Sequence, residues 1–254
     1  TWVLTEKAET VRARLTCKGF QEEEDFPTDS PTVQKSSIRL ILALAATYTW
    51  TIQAIDIKSA FLQGDKLTRK VFVKPPKEAN LKNKQWKLRK CLYGLKDASR
   101  QWYLRLKRTL KDHEFIKCKY DGGLFYLIKN RQLIGVVGIH VDDFLATGCD
   151  YFMNKIIPEV LKSFLVGKAE DQTFMYTGSK ITQDNNGITM DQTEYVENLE
   201  IFDLDPERLK MKTDMHTDEL TYLRKYCGSL NWAVGTSRPD LSFQMINLST
   251  NFKG

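Results

Sequence analysis

The chain has 254 residues, with 38 Lys and Arg against 32 Asp and Glu, a formal net charge of +6 and 42% hydrophobic residues. That balance is ordinary for a globular protein and excludes a fibrous repeat or a disordered tail; the length suffices for one large domain or two small ones. The longest apolar run, Leu40 to Ala46, is far too short to span a bilayer, no signal-peptide layout opens the chain, and the five scattered cysteines form no C-x-x-C pair. No membrane, zinc site or disulfide framework is therefore expected, and a reducing compartment is.

An acidic, Pro-punctuated loop, residues 21–31, precedes the first strong periodic segment. There Ser36 and Ser37 can cap a helix running to Trp50, with Ile38, Leu42, Ala45 and Ala46 on one face. A strand over Ile52–Ile57, a turn at Gly64-Asp65 and a strand at Val71–Val73 follow, the last ended by Pro75-Pro76 because proline cannot donate to a ladder. Gln85–Arg89 reads as a further short strand. From Asp97 to Asp112 an amphipathic helix is expected: Ala98, Trp102, Leu106 and Leu110 step at i+4, and Arg100, Arg105, Arg108 and Lys111 stay outside.

Two apolar runs, Leu124–Ile128 and Leu133–Val141, flank a KNRQ turn, and a third, Phe144–Thr147, lies directly across Asp142-Asp143. The pattern is two successive hairpins, with the Asp pair at the tip of the second. A helix over Tyr151–Phe164 with Pro158 inside it, a strand pair Phe174–Thr182 and Ile188–Met190, and helical segments at 192–201, 219–235 and 239–252 complete the reading. The polar stretch 203–218, with Pro206, is the expected join between subregions. Strands mixed with helices and antiparallel hairpins in the middle indicate an α+β class.

The charge is unevenly placed. Residues 66–119 hold 18 basic and 4 acidic side chains, while residues 132–254 hold 11 basic and 18 acidic. A basic stripe that also carries Trp86, Tyr93, Trp102 and Tyr103 suits a polyanion, nucleic acid first, although a solvated helix face would look the same. Three acids, Asp56, Asp142 and Asp143, are flanked by apolar strand residues. Carboxylates so placed could hold two Mg²⁺ ions, which prefer hard oxygen ligands and retain water or phosphate oxygens. Asp is also a preferred turn residue, and a pair at a hairpin tip, taken alone, is more often turn chemistry than a ligand.

Six blocks occur in order: ARLTCKGF (13–20), AIDIKSAFLQGD (54–65), VFVKPP (71–76), KLRKCLYGLKDASRQWY (87–103), GIHVDDFLATG (138–148) and GSLNWAVGTSRPDL (228–241). Together they resemble the reverse transcriptase of copia-type LTR retrotransposons over nearly the whole chain. The resemblance implies a right-hand polymerase fold whose antiparallel palm sheet carries the catalytic acids. Fingers and palm would fill 1–190, with fingers at about 1–50 and 66–118, palm at about 51–65 and 119–190, and a thumb or connection from 191 to 254. It implies an RNA-directed DNA polymerase, a nucleotidyltransferase that extends a primer on an RNA or DNA template with deoxynucleoside triphosphates and two Mg²⁺ ions, Mn²⁺ being a substitute. The setting would be intracellular, in a cytoplasmic retrotransposon particle with a nuclear stage. Copia-type proteins are polyproteins with protease and integrase upstream and RNase H downstream. None of these is recognisable here, so an excised segment is expected.

Carried over by position, Asp56, Asp142 and Asp143 would be the catalytic carboxylates, and the Ile57 carbonyl would join them as a metal ligand. Phe61 would block a ribose 2′-hydroxyl, and Arg12 and Arg14 would meet the triphosphate, Arg14 being the better placed. Asp97 falls in the nucleotide-binding block, and Lys96, Arg100, His140, Tyr176 and Gly178 fall where template or primer is contacted. Asp97 and Ser99 depart from the family's frequent Gln and Pro, and His140 from its frequent Tyr. An N-cap role for Asp97 explains it without catalysis. Two other readings accompany this one: a catalytically weak or domesticated fold kept as a nucleic-acid-binding module, and a metal-dependent nuclease using similar carboxylates.

Overall fold

The computed structural model describes residues 1–7, 10–23, 25–81, 83–200, 206–210 and 215–250. Strands in chain order are β1 (Trp2–Lys7), β2 (Thr10–Leu15), β3 (Ile52–Ile57), β4 (Phe72–Val73), β5 (Trp86–Lys87), β6 (Ile116–Lys117), β7 (Leu124–Lys129), β8 (Gln132–His140), β9 (Asp143–Gly148), β10 (Val166–Asp171), β11 (Thr173–Tyr176), β12 (Ser179–Asp184) and β13 (Gly187–Asp191). Helices are α1 (Lys35–Tyr48), α2 (Ala98–Asp112), α3 (Ile157–Leu161), α4 (Thr193–Glu197), α5 (Pro206–Lys210), α6 (Thr217–Thr236) and α7 (Ser242–Thr250). They divide into two compact units, Thr1–Gln172 and Thr173–Gly254.

The first unit is organised by a six-stranded sheet of order β10-β3-β9-β8-β7-β6, antiparallel at every pairing. Side chains alternate across a sheet, and both faces are covered. Ile55, Ile57, Phe125, Leu127, Val137, Ile139, Phe144 and Ala146 share one core with Trp102, Leu106 and Leu110 of α2. On the other face α1 packs against β8 and β9. Gly138 gives α1 room there: a Cβ at that position would lie 2.7 Å from Ile41 Cδ1, and that side chain would have to shift.

Several expectations are corrected in this unit. Helix α1 starts at Lys35, and neither Ser36 nor Ser37 caps it; Gln34 is the N-cap residue and makes no side-chain cap bond. The first turn is anchored from a distance instead: the Gln34 backbone N–H donates to Asp121 Oδ2 at 2.9 Å, and Gly123 N–H donates to Oδ1 at 2.8 Å. A carboxylate that is 4% exposed and accepts two backbone donors is costly to remove. Asp121→Ala should lower stability by about 2–3 kcal/mol, read as a shift of the urea midpoint; a shift below a third of that would mean water replaces the carboxylate.

The helix expected over 151–164 begins as a π-helical turn, Phe152–Ile156, and α3 ends at Leu161. Two strand pairings have no counterpart in the side-chain pattern. The β1–β2 hairpin is largely exposed, and β10 reads VGKAED, an edge strand held by backbone bonds.

In the second unit the strand expected over Phe174–Thr182 is two strands, β11 and β12, joined by a turn at Thr177-Gly178 and continued by β13. Both turn residues have positive φ, 46° and 75°, the region glycine adopts without cost. The boundary expected from the resemblance lies after 190, and the compact units part at 172/173, so these strands group with the helices that follow. Of the helical segments, 192–201 contains α4, 219–235 lies within α6, and 239–252 contains α7 after a 3₁₀ turn at Pro239–Leu241. Much of the expected join, 203–205 and 211–214, lies outside the described residues, as do 201–202 and 251–254. No helix among the described residues is long and apolar enough to cross a membrane.

Candidate active site

Strand register brings the three acids to one end of the sheet. Asp56, the last but one residue of β3, lies directly opposite Asp143 of β9, and His140 at the end of β8 is opposite Asp143 on its other side. Residues opposed in adjacent strands face the same way, so Asp56, Asp143 and His140 stand on the α1 face of the sheet. Asp142 belongs to the turn, and its carbonyl accepts the Ile57 N–H at 2.9 Å, which locks that turn to β3. The turn itself is strained: Val141, β-branched, has φ +60°, which costs roughly 1–2 kcal/mol. The Trp102 indole N–H holds it by donating to the Val141 carbonyl at 2.7 Å. Trp102 is 1% exposed and so is a core residue, as its helical spacing suggests, with a polar edge that supports the site.

The electrostatics record the crowding. Burial, then the charges of Asp142 and Asp56, push Asp143 up to about 6. Asp142 is also raised, first by burial and then by Asp56, while Arg12 and His140 act in the opposite sense. Hard carboxylate oxygens collected this way suit a divalent cation. Among the described residues no three Asp, Glu, His or Cys side chains converge on a single ion position. That is compatible with Mg²⁺, which usually takes one or two carboxylates and completes its octahedron from water and substrate phosphates.

A residue missed by the sequence reading lies beside Asp56. Strand β10 pairs Val166 with Ile57 and Ala169 with Ile55, so Gly167 and Lys168 together oppose Asp56 in a bulge, a feature that re-aims side chains near active sites. A Cβ on Gly167 would overlap Asp56 Oδ2 and lie 3.2 Å from the Asp56 carbonyl oxygen. Glycine thus makes the space the carboxylate occupies. The available signal was an isolated glycine within a short charged segment, which marks a bulge or a close approach.

Two of the expected nucleotide contacts also meet. Tyr93 packs edge-on against Phe61, ring centroids 5.7 Å apart, and the Arg14 guanidinium lies 6.0 Å from the Tyr93 ring centre. Arg14 is on β2 next to the bridge between Thr16 and Tyr93, and Arg12, two residues earlier, is exposed.

Other expected residues are differently engaged. Asp97 sits at the N-cap position of α2 but makes no cap bond. Its buried carboxylate accepts Arg69 at 2.7 Å, Gln101 at 3.2 Å and the Cys91 thiol at 3.9 Å. Burial and Asp97 push that thiol up to about 12, so it remains a neutral donor. Arg69 also pairs with Glu22 at 2.5 Å, and Asp97 therefore ties α2 to the acidic loop. Lys96 donates to the Glu22 carbonyl, and Arg100 pairs with Asp29, so neither cation stands free. Tyr176 and Gly178 are in the second unit, where Tyr176 is 2% exposed and Gly178 lies open in its turn. Burial leaves Tyr176 no face for a base.

Comparison with known proteins adds the decisive observation: the family model for reverse transcriptase (RNA-dependent DNA polymerase) matches residues 1–211. The chain belongs to the reverse transcriptase family. It is 30% identical to the retrovirus-related Pol polyprotein from transposon RE2 of Arabidopsis thaliana and 29% identical to that from transposon RE1, in each case over 98% of this chain and 18% of the relative. The corresponding polyprotein from transposon TNT 1-94 of Nicotiana tabacum is 29% identical over 91% of this chain and 19% of its own length. This reverse transcriptase segment thus spans about a fifth of these relatives, and the resemblance to copia-type Pol polyproteins holds. A telomerase structure from Candida albicans gives a TM-score of 0.43 at 9% identity, over 85% of this chain and 43% of that one, too weak a likeness to bear on the fold.

Proposed function

We propose that this chain extends a primer 3′-hydroxyl with deoxynucleotides on an RNA or DNA template, as the polymerase segment of a retrotransposon Pol polyprotein. The observation that carries the reading is Asp56 set opposite Asp143, with Asp142 at the adjoining turn, in a chain of the reverse transcriptase family. In the right-hand arrangement we assign, the six-stranded sheet is the palm, the segments at 1–50 and 66–118 are fingers, and the helical end of the chain begins the thumb or connection.

Asp56, Asp142 and Asp143, with the Ile57 carbonyl, are the groups that would hold divalent cations. Mg²⁺, or Mn²⁺ in its place, would supply charge neutralisation at the reacting phosphate and favour ionisation of the primer hydroxyl. The protein's own share is mostly positioning and electrostatics, as phosphoryl transfer requires. Arg14 offers a planar fork suited to bidentate contact with the triphosphate, and its place beside Tyr93 orients it. Phe61, braced by the Tyr93 edge, is the group that would exclude a ribose 2′-hydroxyl. His140, opposite Asp143, is the residue that would meet the primer end.

Primer extension on an RNA template with Mg²⁺ tests the proposal. The chain should incorporate deoxynucleotides at least about 10³-fold faster than the Asp142→Asn, Asp143→Asn double variant; equal rates would overturn the assignment. One observation favours a second reading, a fold retained for binding alone: the carboxylates do not converge on one point among the described residues. Salt-dependent affinity for an RNA–DNA duplex without incorporation would identify that case.

A further inference from the structure

Strands β4 and β5 form a two-stranded ribbon in which Phe72 is opposite Lys87 and Val73 opposite Trp86. The pairing is extended by a bond from Leu88 N–H to the Val71 carbonyl at 2.9 Å. Exposure alternates strictly along both sides of the ribbon. Val71, Val73 and Leu88 turn inward, onto the cluster formed by Cys91, Leu95 and Ala98. Lys70, Phe72, Lys74, Lys87 and Arg89 are all exposed on the outward face. Because the inner face is pinned by packing, the outward side chains cannot rotate into the core; a one-residue slip would expose the valines.

That outward face is unusual in two respects. Among the described residues none of its four cations has an ion-pair partner, whereas Arg69, Lys96 and Arg100 nearby are all engaged by acids or carbonyls. Phe72, between Lys70 and Lys74, is 53% exposed, an apolar ring left in water among charges. The loop joining the strands continues the character: it borders an open hollow of about 700 Å³ whose lining includes Lys74, Lys77, Lys84, Asn80 and Asn83. Glu78, the acid of that loop, accepts the Trp2 indole N–H at 3.2 Å.

We propose that the outward face of this ribbon is a binding site for single-stranded nucleic acid, separate from the carboxylate site. Cations two residues apart on a strand repeat at roughly 6.6 Å, which lets them follow a phosphate backbone in extended form. An exposed aromatic ring set within that cation row offers a stacking surface to an unstacked base. A duplex presents no free base face, and an acidic protein surface would have no use for the ring, so the single strand is the partner that uses both features. The site depends on neither metal nor nucleotide.

Fluorescence anisotropy with a labelled short oligonucleotide, in EDTA and without nucleotides, tests this on the full 254-residue chain. Lys70→Glu with Lys87→Glu should weaken single-strand binding at least about tenfold and reduce the salt slope by about 1.4, at ~0.7 per phosphate contact. Phe72→Ala should weaken it about tenfold, and Phe72→Trp should restore it; all three sites are exposed, and unchanged melting temperatures would establish that the variants fold. Blunt duplex binding should change less than threefold in Phe72→Ala. The proposal fails if Phe72→Ala binds the strand as the parent does. It fails equally if reversing Lys111 and Lys117 costs as much as reversing the ribbon pair, or if anionic vesicles are bound with the same dependence on Phe72. These outcomes are read without polymerisation, so they stand whether or not the chain extends primers.

Discussion

Asp143→Asn should leave a chain that incorporates nucleotides about 10²–10³-fold more slowly and yet melts at a higher temperature in EDTA at pH 7.5 or so. Burial, then the charges of Asp142 and Asp56, push Asp143 up to about 6 in the folded chain from the ordinary 3.8. Between those two values the folded chain binds more protons than the unfolded chain. The contribution of Asp143 to metal-free stability is therefore most favourable below about pH 4, falls as pH rises through that window, and is least favourable above about pH 6. A shift of this size corresponds to at most about 3 kcal/mol, or several degrees of melting temperature at about 2–4 °C per kcal/mol for a chain of this size. The asparagine removes that repulsion at neutral pH. Millimolar Mg²⁺ should raise the melting temperature of the parent and raise that of the variant much less, since a ligand of the folded state alone stabilises it. Differential scanning fluorimetry across pH 4–8, with and without Mg²⁺, reads both effects. A variant that melts lower than the parent in EDTA, or gains as much from Mg²⁺, would show that Asp143 is a turn residue rather than a cation ligand.

The second large effect is expected at a residue with no side chain. Gly167→Val places a branched group where Asp56 Oδ2 now lies. Either the carboxylate rotates away or the bulge between Val166 and Ala169 shifts along β3. Displacement of a reacting group by about 1 Å can cost on the order of 10²-fold in rate, so incorporation should fall by about that factor. The neighbouring Lys168 lies in the same bulge but is exposed and paired with Glu170 at 2.5 Å, and Lys168→Ala should change the rate less than threefold. A purely structural defect would lower the melting temperature with little change in the Mg²⁺ concentration needed for half-maximal rate. Misplacement of Asp56 should instead raise that concentration severalfold while the fold persists, and Gly167→Ala should lie between parent and valine variant. Unchanged Mg²⁺ dependence in Gly167→Val would remove Gly167 from the site.

Local pattern was most informative where one face of an element is apolar. Helix α2 runs over Ala98–Asp112 against an expected 97–112, and β3 spans Ile52–Ile57 as its alternation indicates. The hairpins carrying Asp142-Asp143 were equally legible, because β7, β8 and β9 are continuous apolar runs broken by polar turns. Edge elements were not. Strand β10 and the β1–β2 hairpin bury few side chains, so their hydrogen bonds leave no periodic trace in the residues. The basic stretch illustrates a further limit: charge counts located it, but only contacts separated the engaged cations Lys96 and Arg100 from the ribbon's row, which has no ion-pair partner among the described residues.

The sequence by itself determined the α+β class and the family, and it singled out the three acids on which the proposed chemistry rests. Side-chain identity and spacing encode which face each residue takes and which motif it belongs to. Only the tertiary structure decided that Asp56 stands opposite Asp143, that Gly167 clears room for it, that Asp97 is bound to Arg69, and that Tyr176 is sealed inside its unit. Each of these is a contact between distant segments, set by strand register and burial. A period of two residues reports the side of a sheet and says nothing about which strand lies alongside.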